Sequence, residues 1–370
     1  MLAVLNGQAP DRIPWAPRLE IWYRAHQRRD TLPDEFKNCS LREIYRSLGM
    51  CYQARDLVRR RIYRTELSGV EVRENRIGYN IQREYITPLG KVSTLHRSSA
   101  ELERDGIEAL EVEHMIKSVD DYPVVEYIIQ HTDLFPTYDD YLDYEREVGD
   151  EGIIITYIGQ DPMSWLILEL IGSAQAYYHL ADYPHEVSHL LAVLDEHCRE
   201  RQKLALESPA RLIMHGQHFD TQLTPVPLFK KYLLPYYQPF AEQMQARGKV
   251  LACHADADTT KILELVKQAG FKLLDCFLTA PMVKMTLAEA RGILGRGVII
   301  WGGIPSTILS EHTPMDEFER YMDDLFRIIA PGEAFILGVA DNVMPDSDLE
   351  RVRKISAMIL ERGAYPLPTT

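Results

Sequence analysis

The sequence has few cysteines and no pattern that would pair them. Its 370 residues include five cysteines, at irregular spacings and without a Cys-x-x-Cys pair. An odd number of scattered cysteines differs from the framework of a small secreted domain, in which disulfides replace a large core. We therefore expect free thiols and a protein of the reducing cytoplasm.

Long apolar runs are also missing. One of the longest, residues 165–171, contains Glu169 and is far shorter than the ~20 residues that cross a bilayer. Residues 1–9 lead into Pro10, Asp11 and Arg12 without forming the apolar segment of a signal peptide. These absences predict a cytoplasmic protein that neither spans a membrane nor is secreted.

Positive charge is in deficit. Lysine and arginine number 41 against 55 aspartates and glutamates, and the formal net charge is −14. Such a charge repels nucleic acids and anionic membranes, so we expect a small-molecule substrate or a protein partner instead. A short basic run, residues 59–61, is interpreted as a solvated face. No GxGxxG or P-loop motif follows a predicted strand, which argues against a nucleotide-binding sheet.

The sequence does have a repeated alternation of short apolar runs with amphipathic segments. Six apolar runs carry few polar positions, as in parallel strands that are covered on both faces. These runs are residues 152–158, 211–214, 249–253, 272–276, 298–301 and 335–339. Between and after them, amphipathic patterns predict helices at residues 184–205, 227–246, 259–269, 314–329 and 348–360.

This strand–helix order implies right-handed crossovers, and therefore either an open sheet or a closed barrel. Because no nucleotide-binding motif is present, we predict an α/β chain folded as a TIM (β/α)8 barrel. The two remaining strands must come from the first part of the chain, where residues 13–21 are the best candidate. Residues 71–97 predict a β-hairpin elaboration with its turn at 88–91, within one barrel domain that spans residues 1–370.

Polar residues at the carboxyl ends of barrel strands form the reactive mouth of this fold. His254, Cys276 and Asp341 follow three of the predicted strands at matched positions. An imidazole, a thiolate and a carboxylate that converge can bind zinc and leave a fourth position for substrate. Taken singly, the cysteine also fits a small buried hydrophobe, and the histidine also fits a hydrogen-bonded pocket residue.

Further polar residues stand at the same predicted edge. His218 and Asp220 can position a substrate, supply a proton or brace the loop before the next helix. Asp258 is expected to cap a helix, whereas the role of Asp256 is open between metal ligation and catalysis. The candidate catalytic residues are therefore His218, Asp220 and Asp256.

Substrate binding is assigned to residues at the first strand end and at the last two. Arg18 can pair with a substrate carboxylate or with a structural acid. Gly303 permits close approach of a ligand, or it simply forms a tight turn. The candidate substrate-binding residues are Arg18, Glu20, Tyr23, Trp301, Gly303 and Asn342.

Several short motifs together form a recognisable pattern. They are residues 7–14 (GQAPDRIP), 254–258 (HADAD), 301–304 (WGGI), 330–332 (APG), 335–337 (FIL) and 342–346 (NVMPD). With these motifs the chain resembles the uroporphyrinogen decarboxylase superfamily, most clearly over residues 212–363. The resemblance implies a TIM barrel with the active site in its mouth.

The resemblance is nearer to one branch of that superfamily than to the other. True uroporphyrinogen decarboxylases use no metal and open with an arginine-rich segment, whereas the corresponding residues 16–23 keep only Arg18. The zinc methyltransferase branch has a His-x-Cys motif at one strand end and a later cysteine. Here His254 matches the histidine, while Asp256 and Asp341 stand at the two cysteine positions, and Cys276 is an additional candidate from a neighbouring strand.

The resemblance thus implies an enzyme, namely a zinc-dependent methyltransferase. It would move a methyl group from a small methylated or methoxylated substrate to a corrinoid (a cobalamin) on a partner protein, with zinc on His254, Cys276 and Asp341. One alternative is a decarboxylase-type lyase that acts on a porphyrinogen or a similar tetrapyrrole. Another is a catalytically silent barrel that binds the corrinoid or its carrier.

Overall fold

The strands are short, and those in the second half of the chain are apolar almost throughout. The computed structural model describes residues 1–369. These residues contain fourteen strands: β1 (Tyr52–Ala54), β2 (Tyr63–Leu67), β3 (Glu71–Ile77), β4 (Asn80–Thr87), β5 (Gly90–Arg97), β6 (Leu110–Glu113), β7 (Thr132–Pro136), β8 (Gly152–Ile154), β9 (Thr156–Tyr157), β10 (Leu212–Gln217), β11 (Val250–His254), β12 (Leu273–Phe277), β13 (Ile299–Pro305) and β14 (Phe335–Ala340). All side chains of β12, β13 and β14 are buried, as the covered strands of a parallel sheet must be.

Helices separate most of these strands. Residues 1–369 contain fifteen α-helices: α1 (Leu2–Leu5), α2 (Glu20–Arg29), α3 (Leu41–Ser47), α4 (Ala100–Asp105), α5 (Tyr122–Gln130), α6 (Tyr138–Val148), α7 (Pro162–Trp165), α8 (Ser173–Asp182), α9 (Pro184–Glu207), α10 (Val226–Leu228), α11 (Leu234–Ala246), α12 (Leu263–Gln268), α13 (Leu287–Leu294), α14 (Met315–Ile329) and α15 (Leu349–Arg362). The predicted helices match α9, α10 with α11, α14 and α15 closely. The helix predicted at 259–269 begins only at Leu263, because residues 259–262 form a turn.

Six strands form one continuous parallel sheet in the order β9-β10-β11-β12-β13-β14. Next to β9 lies β8, separated from it only by Ile155, and β8 pairs in parallel with β1. The ring is completed through Trp15, which bridges Leu337 of β14 in parallel and accepts a hydrogen bond from Cys51 N at 2.8 Å. Eight segments therefore close on one another, which confirms the predicted barrel.

The first barrel segment is much shorter than the predicted strand at residues 13–21. Only Trp15 forms a bridge, and α2 already begins at Glu20. Pro14 and Pro17 have no N–H group to donate, which limits the hydrogen-bond ladder of this segment. The second missing strand is β1, whose three residues carry too little pattern to be recognised.

Residues 71–97 fold as three strands and join β6 in an antiparallel sheet of order β3-β4-β5-β6. The expected turn near residue 88 connects β4 to β5. A further turn at Gly78 and Tyr79 divides the alternating residues 76–84 between β3 and β4. That the whole chain forms one domain stays a prediction.

The barrel interior is filled by a separate apolar cluster that includes Val4, Met214, Trp301 and Ile336. Trp301 is 2% exposed and donates its indole N–H to the Ala16 carbonyl oxygen at 2.9 Å. Val4 belongs to α1, so this short helix covers the amino-terminal end of the barrel. Within residues 1–369, every helix falls short of the length or apolar character that crossing a membrane requires.

We predict that Trp301→Ala destabilises the barrel by about 3–5 kcal/mol, because it empties a large volume at the centre of the interior cluster. Urea unfolding followed by circular dichroism would measure this loss. The control is Leu360→Ala at a side chain that is 68% exposed, which should change stability by less than about 0.5 kcal/mol. Equal stability of the two variants would contradict a packing role for Trp301.

Candidate active site

The polar residues of the candidate site stand where β11, β12 and β14 end. His254 is the last residue of β11, and in the register of the sheet it lies directly beside Asp275 of β12. Cys276 follows Asp275, and Asp341 comes immediately after β14. Because parallel strands end at the same edge, these side chains meet at the carboxyl-terminal mouth of the barrel.

His254 is the centre of this cluster. Its Nδ1 lies 2.8 Å from Asp275 Oδ2, while its Nε2 lies 3.3 Å from Asp256 Oδ2 and 3.6 Å from Asp341 Oδ1. Burial alone would lower the pKa of His254. The charge of Cys276 and the hydrogen bonds to the surrounding carboxylates outweigh burial and raise that pKa well above its ordinary value.

Asp275 is the most deeply buried charged group of the site, with a side chain that is 1% exposed. Arg55, which is 7% exposed and follows β1, donates to Asp275 Oδ1 at 2.6 Å. Burial tends to raise the pKa of Asp275, but Arg55 and the His254 hydrogen bond lower it below its usual range. The carboxylate is therefore charged, and it holds the His254 ring in one orientation.

Arg18 binds the opposite side of the cluster. Its Nη1 donates to Asp341 Oδ1 at 2.7 Å and lies 3.6 Å from Cys276 Sγ, and its Nε lies 4.0 Å from Glu20 Oε2. Burial would lower the pKa of Arg18, but the neighbouring anionic groups, Cys276 first and then Glu20, raise it. Of the two partners considered from the sequence, a substrate carboxylate and a structural acid, Arg18 therefore has the second, namely Asp341.

His218 lies next to this cluster and shares Asp256 with His254. Its Nδ1 is 2.8 Å from Asp256 Oδ1, and its side chain is 44% exposed. Burial favours a higher pKa for Asp256, but the hydrogen bonds from His218 and His254 lower it below its usual range. Since Nδ1 faces Asp256, Nε2 is the ring nitrogen of His218 that makes no hydrogen bond within residues 1–369.

Three site residues adopt a left-handed backbone that non-glycine residues rarely use. The φ angles are 56° at His218, 54° at Cys276 and 63° at Asp341. Each such residue costs on the order of 1–3 kcal/mol, and such strain is concentrated at functional sites. At each of the three strand ends the strained turn aims a polar side chain at the mouth.

Two of the predicted site residues, Asp220 and Tyr23, form hydrogen bonds outside the His254 cluster. Asp220 accepts a hydrogen bond from the Asp258 N–H at 3.2 Å, and its other oxygen accepts one from its own turn. Asp258 in turn accepts from the backbone N–H of Thr260 within the turn before α12; it does not cap this helix as predicted, because the helix begins only at Leu263. The Tyr23 hydroxyl donates to the Cys39 carbonyl at 3.0 Å, away from the His254 cluster.

The last three predicted residues lie on or after β13 and β14. Trp301 points into the barrel interior, as described above, and the Gly303 carbonyl accepts a hydrogen bond from the Tyr321 hydroxyl at 2.6 Å. Asn342 is 2% exposed, and its Oδ1 has no hydrogen-bond partner among residues 1–369. As substrate-binding residues, all of the candidates stay predictions.

Sequence reasoning did not assign Asp275 and Arg55 to the site. Asp275 could have been recognised, since a charged residue inside an otherwise apolar strand requires a buried partner. Nothing near Arg55 indicated its role, because β1 is too short to be predicted and the two residues are 220 positions apart.

The donor atoms of the site fit a small tetrahedral metal ion. Bonds of about 2.0–2.2 Å place neighbouring donors about 3.3–3.6 Å apart. The distances from His254 Nε2 to the Asp256 and Asp341 oxygens, 3.3 and 3.6 Å, agree with that spacing. Asp275 on Nδ1 supplies the outer carboxylate that usually orients a metal-binding histidine. His254, Asp275 and Cys276 form a second group of donors within 4.8 Å of one another.

The fold and the site together define an α/β barrel with a histidine–carboxylate centre at its mouth. In a comparison with protein families, the family described as uroporphyrinogen decarboxylase (URO-D) matches residues 166–361. The chain therefore belongs to the uroporphyrinogen decarboxylase family, which confirms the resemblance found in its sequence. This is a family of enzymes.

A solved structure supports the same fold over nearly the whole chain. A methyltransferase from Methanosarcina mazei superposes with a TM-score of 0.53 and covers 97% of each chain at 17% sequence identity. At this identity the similarity shows the fold alone. A search among curated proteins found no match.

We predict that Arg55→Met lowers the free energy of unfolding by about 3–5 kcal/mol, because it leaves the Asp275 charge buried beside a single partner. Urea unfolding would measure the change. The matched control is Arg42→Met at the more exposed pair with Glu151, which should cost less than about 1 kcal/mol. The double variant Arg55→Met/Asp275→Asn should regain part of the loss, and a failure of Arg55→Met to exceed the control would contradict the role of this pair.

Proposed function

We propose that the protein is a zinc-dependent methyltransferase. It transfers a methyl group from a small methylated or methoxylated substrate to a corrinoid carried by a partner protein. The observation that carries this proposal is the geometry of His254, whose Nδ1 is bound by Asp275 and whose Nε2 faces Asp256 and Asp341 at metal-donor spacing. The fold-level similarity to a protein described as a methyltransferase is consistent with it.

Zinc would be held by His254, Asp256 and Asp341, with Cys276 as a further ligand. The sequence had placed Asp256 as a fourth or substitute ligand, and the distance of its Oδ2 from His254 Nε2 supports including it. Arg18 already neutralises Asp341, so a metal ion would share that carboxylate with the guanidinium. When bound, zinc acts as a Lewis acid toward the substrate oxygen, nitrogen or sulfur that gives up the methyl group.

The chain's own residues contribute proton transfer and orientation. The bond between the methyl carbon and the substrate heteroatom breaks, the heteroatom keeps the electron pair, and the new bond to carbon uses an electron pair of the reduced corrinoid. The heteroatom then takes a proton. His218 would supply it, since Asp256 orients its ring and its side chain is 44% exposed.

Decarboxylation of a tetrapyrrole is the alternative that the family description brings to mind. It would bring substrate carboxylates to cationic side chains of the reaction centre itself, and there Arg18 is already paired with Asp341. A silent barrel that binds a corrinoid or its carrier is distinguished from both enzymes by ligand binding without turnover. Of the three, the proposed methyltransferase makes most use of the His254 geometry.

We predict near-stoichiometric zinc in protein that is purified without a histidine tag. His254→Ala should reduce the zinc content to less than about a tenth, since it removes the central ligand. Elemental analysis by mass spectrometry measures both contents. His312→Ala is the control and should keep its zinc, because His312 is exposed and is not one of the proposed ligands. Absence of zinc from the parent protein, or its retention in His254→Ala, would refute the proposed function.

We predict that His218→Gln lowers kcat for demethylation by about 100-fold while zinc content and stability remain unchanged, because a general acid is lost. Single-turnover assays with a methoxylated substrate and a reduced corrinoid measure the rate. Asp220→Asn is the comparison: its carboxylate braces a loop, so stability should fall and kcat should change little. A His218→Gln enzyme with the parent rate would exclude His218 as the proton donor.

A further inference from the structure

A cavity opens next to the end of β9. Its volume is about 210 Å³. Its walls come from the β2 and β9 strands, from α7 and α9, and from the segment between β9 and α7. The lining side chains that matter here are Arg61, Tyr63, Tyr157, Gln160, Trp165 and Arg201.

This cavity borders the candidate active site. The Gly159 carbonyl on its wall accepts hydrogen bonds from His215 Nδ1 at 2.8 Å and from Gly216 N at 3.2 Å, immediately before His218. On the other side the Arg60 guanidinium carbon lies 5.9 Å from the centre of the Tyr157 ring. The cavity wall is thus bonded to the stretch of backbone that leads into His218.

Three guanidinium groups lie at this cavity: those of Arg61 and Arg201 line it, and that of Arg60 lies beside the Tyr157 ring on its wall. Within residues 1–369, the guanidinium groups of Arg60, Arg61 and Arg201 make neither an ion pair nor a hydrogen bond, and Arg201 Nε is buried. Arginines elsewhere at the mouth are paired, as Arg18 and Arg55 are. Of the basic run at 59–61, interpreted from sequence as a solvated face, Arg59 pairs with Glu147, whereas Arg60 and Arg61 contribute unpaired charge beside the cavity.

Burial and mutual repulsion make this charge costly. Burial, with the charges of Arg55 and Arg18 nearby, lowers the pKa of Arg60 to about 10. Arg201 is held over the Trp165 ring at 4.3 Å from its centre. Gly159 has a φ of 94°, and a side chain there would collide with Arg201 Nη1. Glycine at position 159 therefore leaves room for the Arg201 guanidinium group.

Gln160 provides a second, independent sign of a ligand. Its side chain is 2% exposed and lines the cavity, yet neither its amide nitrogen nor its amide oxygen makes a hydrogen bond that meets ordinary limits of distance and angle. Glu169 also lines the cavity; burial raises the pKa of its carboxyl, while Arg201 and Gln160 act to lower it. An unsatisfied buried amide is costly, and a polar ligand would satisfy it.

We propose that this cavity binds the carboxylate of the substrate, with Arg201 and Gln160 donating hydrogen bonds and with Arg60 and Arg61 supplying charge. A planar carboxylate suits a guanidinium fork and an amide donor. The rings of Tyr63, Tyr157 and Trp165 cover the adjoining apolar part of the molecule. The substrate is then a small methylated or methoxylated acid. The identity of its reacting methyl group rests on the proposed function, whereas the binding of its carboxylate does not.

The test compares 4-methoxybenzoate with its uncharged analogue 4-methoxybenzamide by isothermal titration calorimetry on the full-length protein. We expect the acid to bind at least about tenfold more tightly than the amide, since charge-assisted hydrogen bonds are the stronger ones. Arg201→Gln should weaken binding of the acid by about tenfold and binding of the amide by less than about threefold. Arg201→Lys, which keeps the charge but loses the fork, should lie between the two.

Arg211→Gln is the matched control, because Arg211 is an exposed arginine that does not line this cavity. It should bind both compounds as the parent protein does, and thermal unfolding of each variant shows whether Arg201→Gln is folded. Equal affinity of the parent for acid and amide would overturn the inference. An Arg201→Gln variant that keeps full affinity for the acid would also overturn it. If Arg201→Gln fails to fold, a folded Arg60→Gln variant that keeps this affinity would have the same meaning. Selective binding of the acid by protein without zinc would support this inference while it refuted the proposed function, and zinc without selective binding would do the reverse.

Discussion

The buried charge of Asp275 is the constraint on which the rest of the active site depends. A carboxylate inside a barrel wall would cost several kcal/mol if it had no partners. Arg55 and His254 neutralise it, and each of these side chains is thereby held in one position. Because Nδ1 of His254 is committed to this buried acid, only Nε2 can face the mouth, where Asp256 and Asp341 lie. An interaction that belongs to the barrel wall thus sets the geometry of the reactive edge.

Around this pair the mouth divides into two electrostatic halves. On the side of β11, β12 and β14, each carboxylate is matched by an imidazole or guanidinium group, and the strained turns at Cys276 and Asp341 hold these matches in place. On the side of β9 and α9, the guanidinium groups lack such matches and an amide stays unsatisfied. The first half has the composition of a reaction centre, and the second has that of a binding subsite. A chain with a net charge of −14 thus keeps local positive charge where its ligand would enter.

Much of this architecture could be predicted from the sequence, and the exceptions have physical reasons. Six strands were recognisable because both of their faces are buried, and His254, Asp256 and Asp341 were recognisable because they end such strands. The first segment was predicted too long, because Pro14 and Pro17 within it have no N–H groups and restrict the hydrogen-bond ladder. Asp275 lies inside an apolar run, and the apolar pattern that predicts the strand gives no role to a single charged residue within it. Its bond to Arg55 joins residues 220 positions apart, which no local pattern encodes.

The closure of the ring through Trp15 and Leu337 has a consequence for synthesis of the chain. The first barrel segment made by the ribosome pairs with the last, and Arg18 meets Asp341 across 323 positions. Until β14 has emerged, the growing sheet keeps two open edges, and the cluster at the mouth lacks one of its carboxylates. Folding of the barrel and assembly of its active site are therefore one late event, and a chain released early contains neither a closed ring nor a complete site.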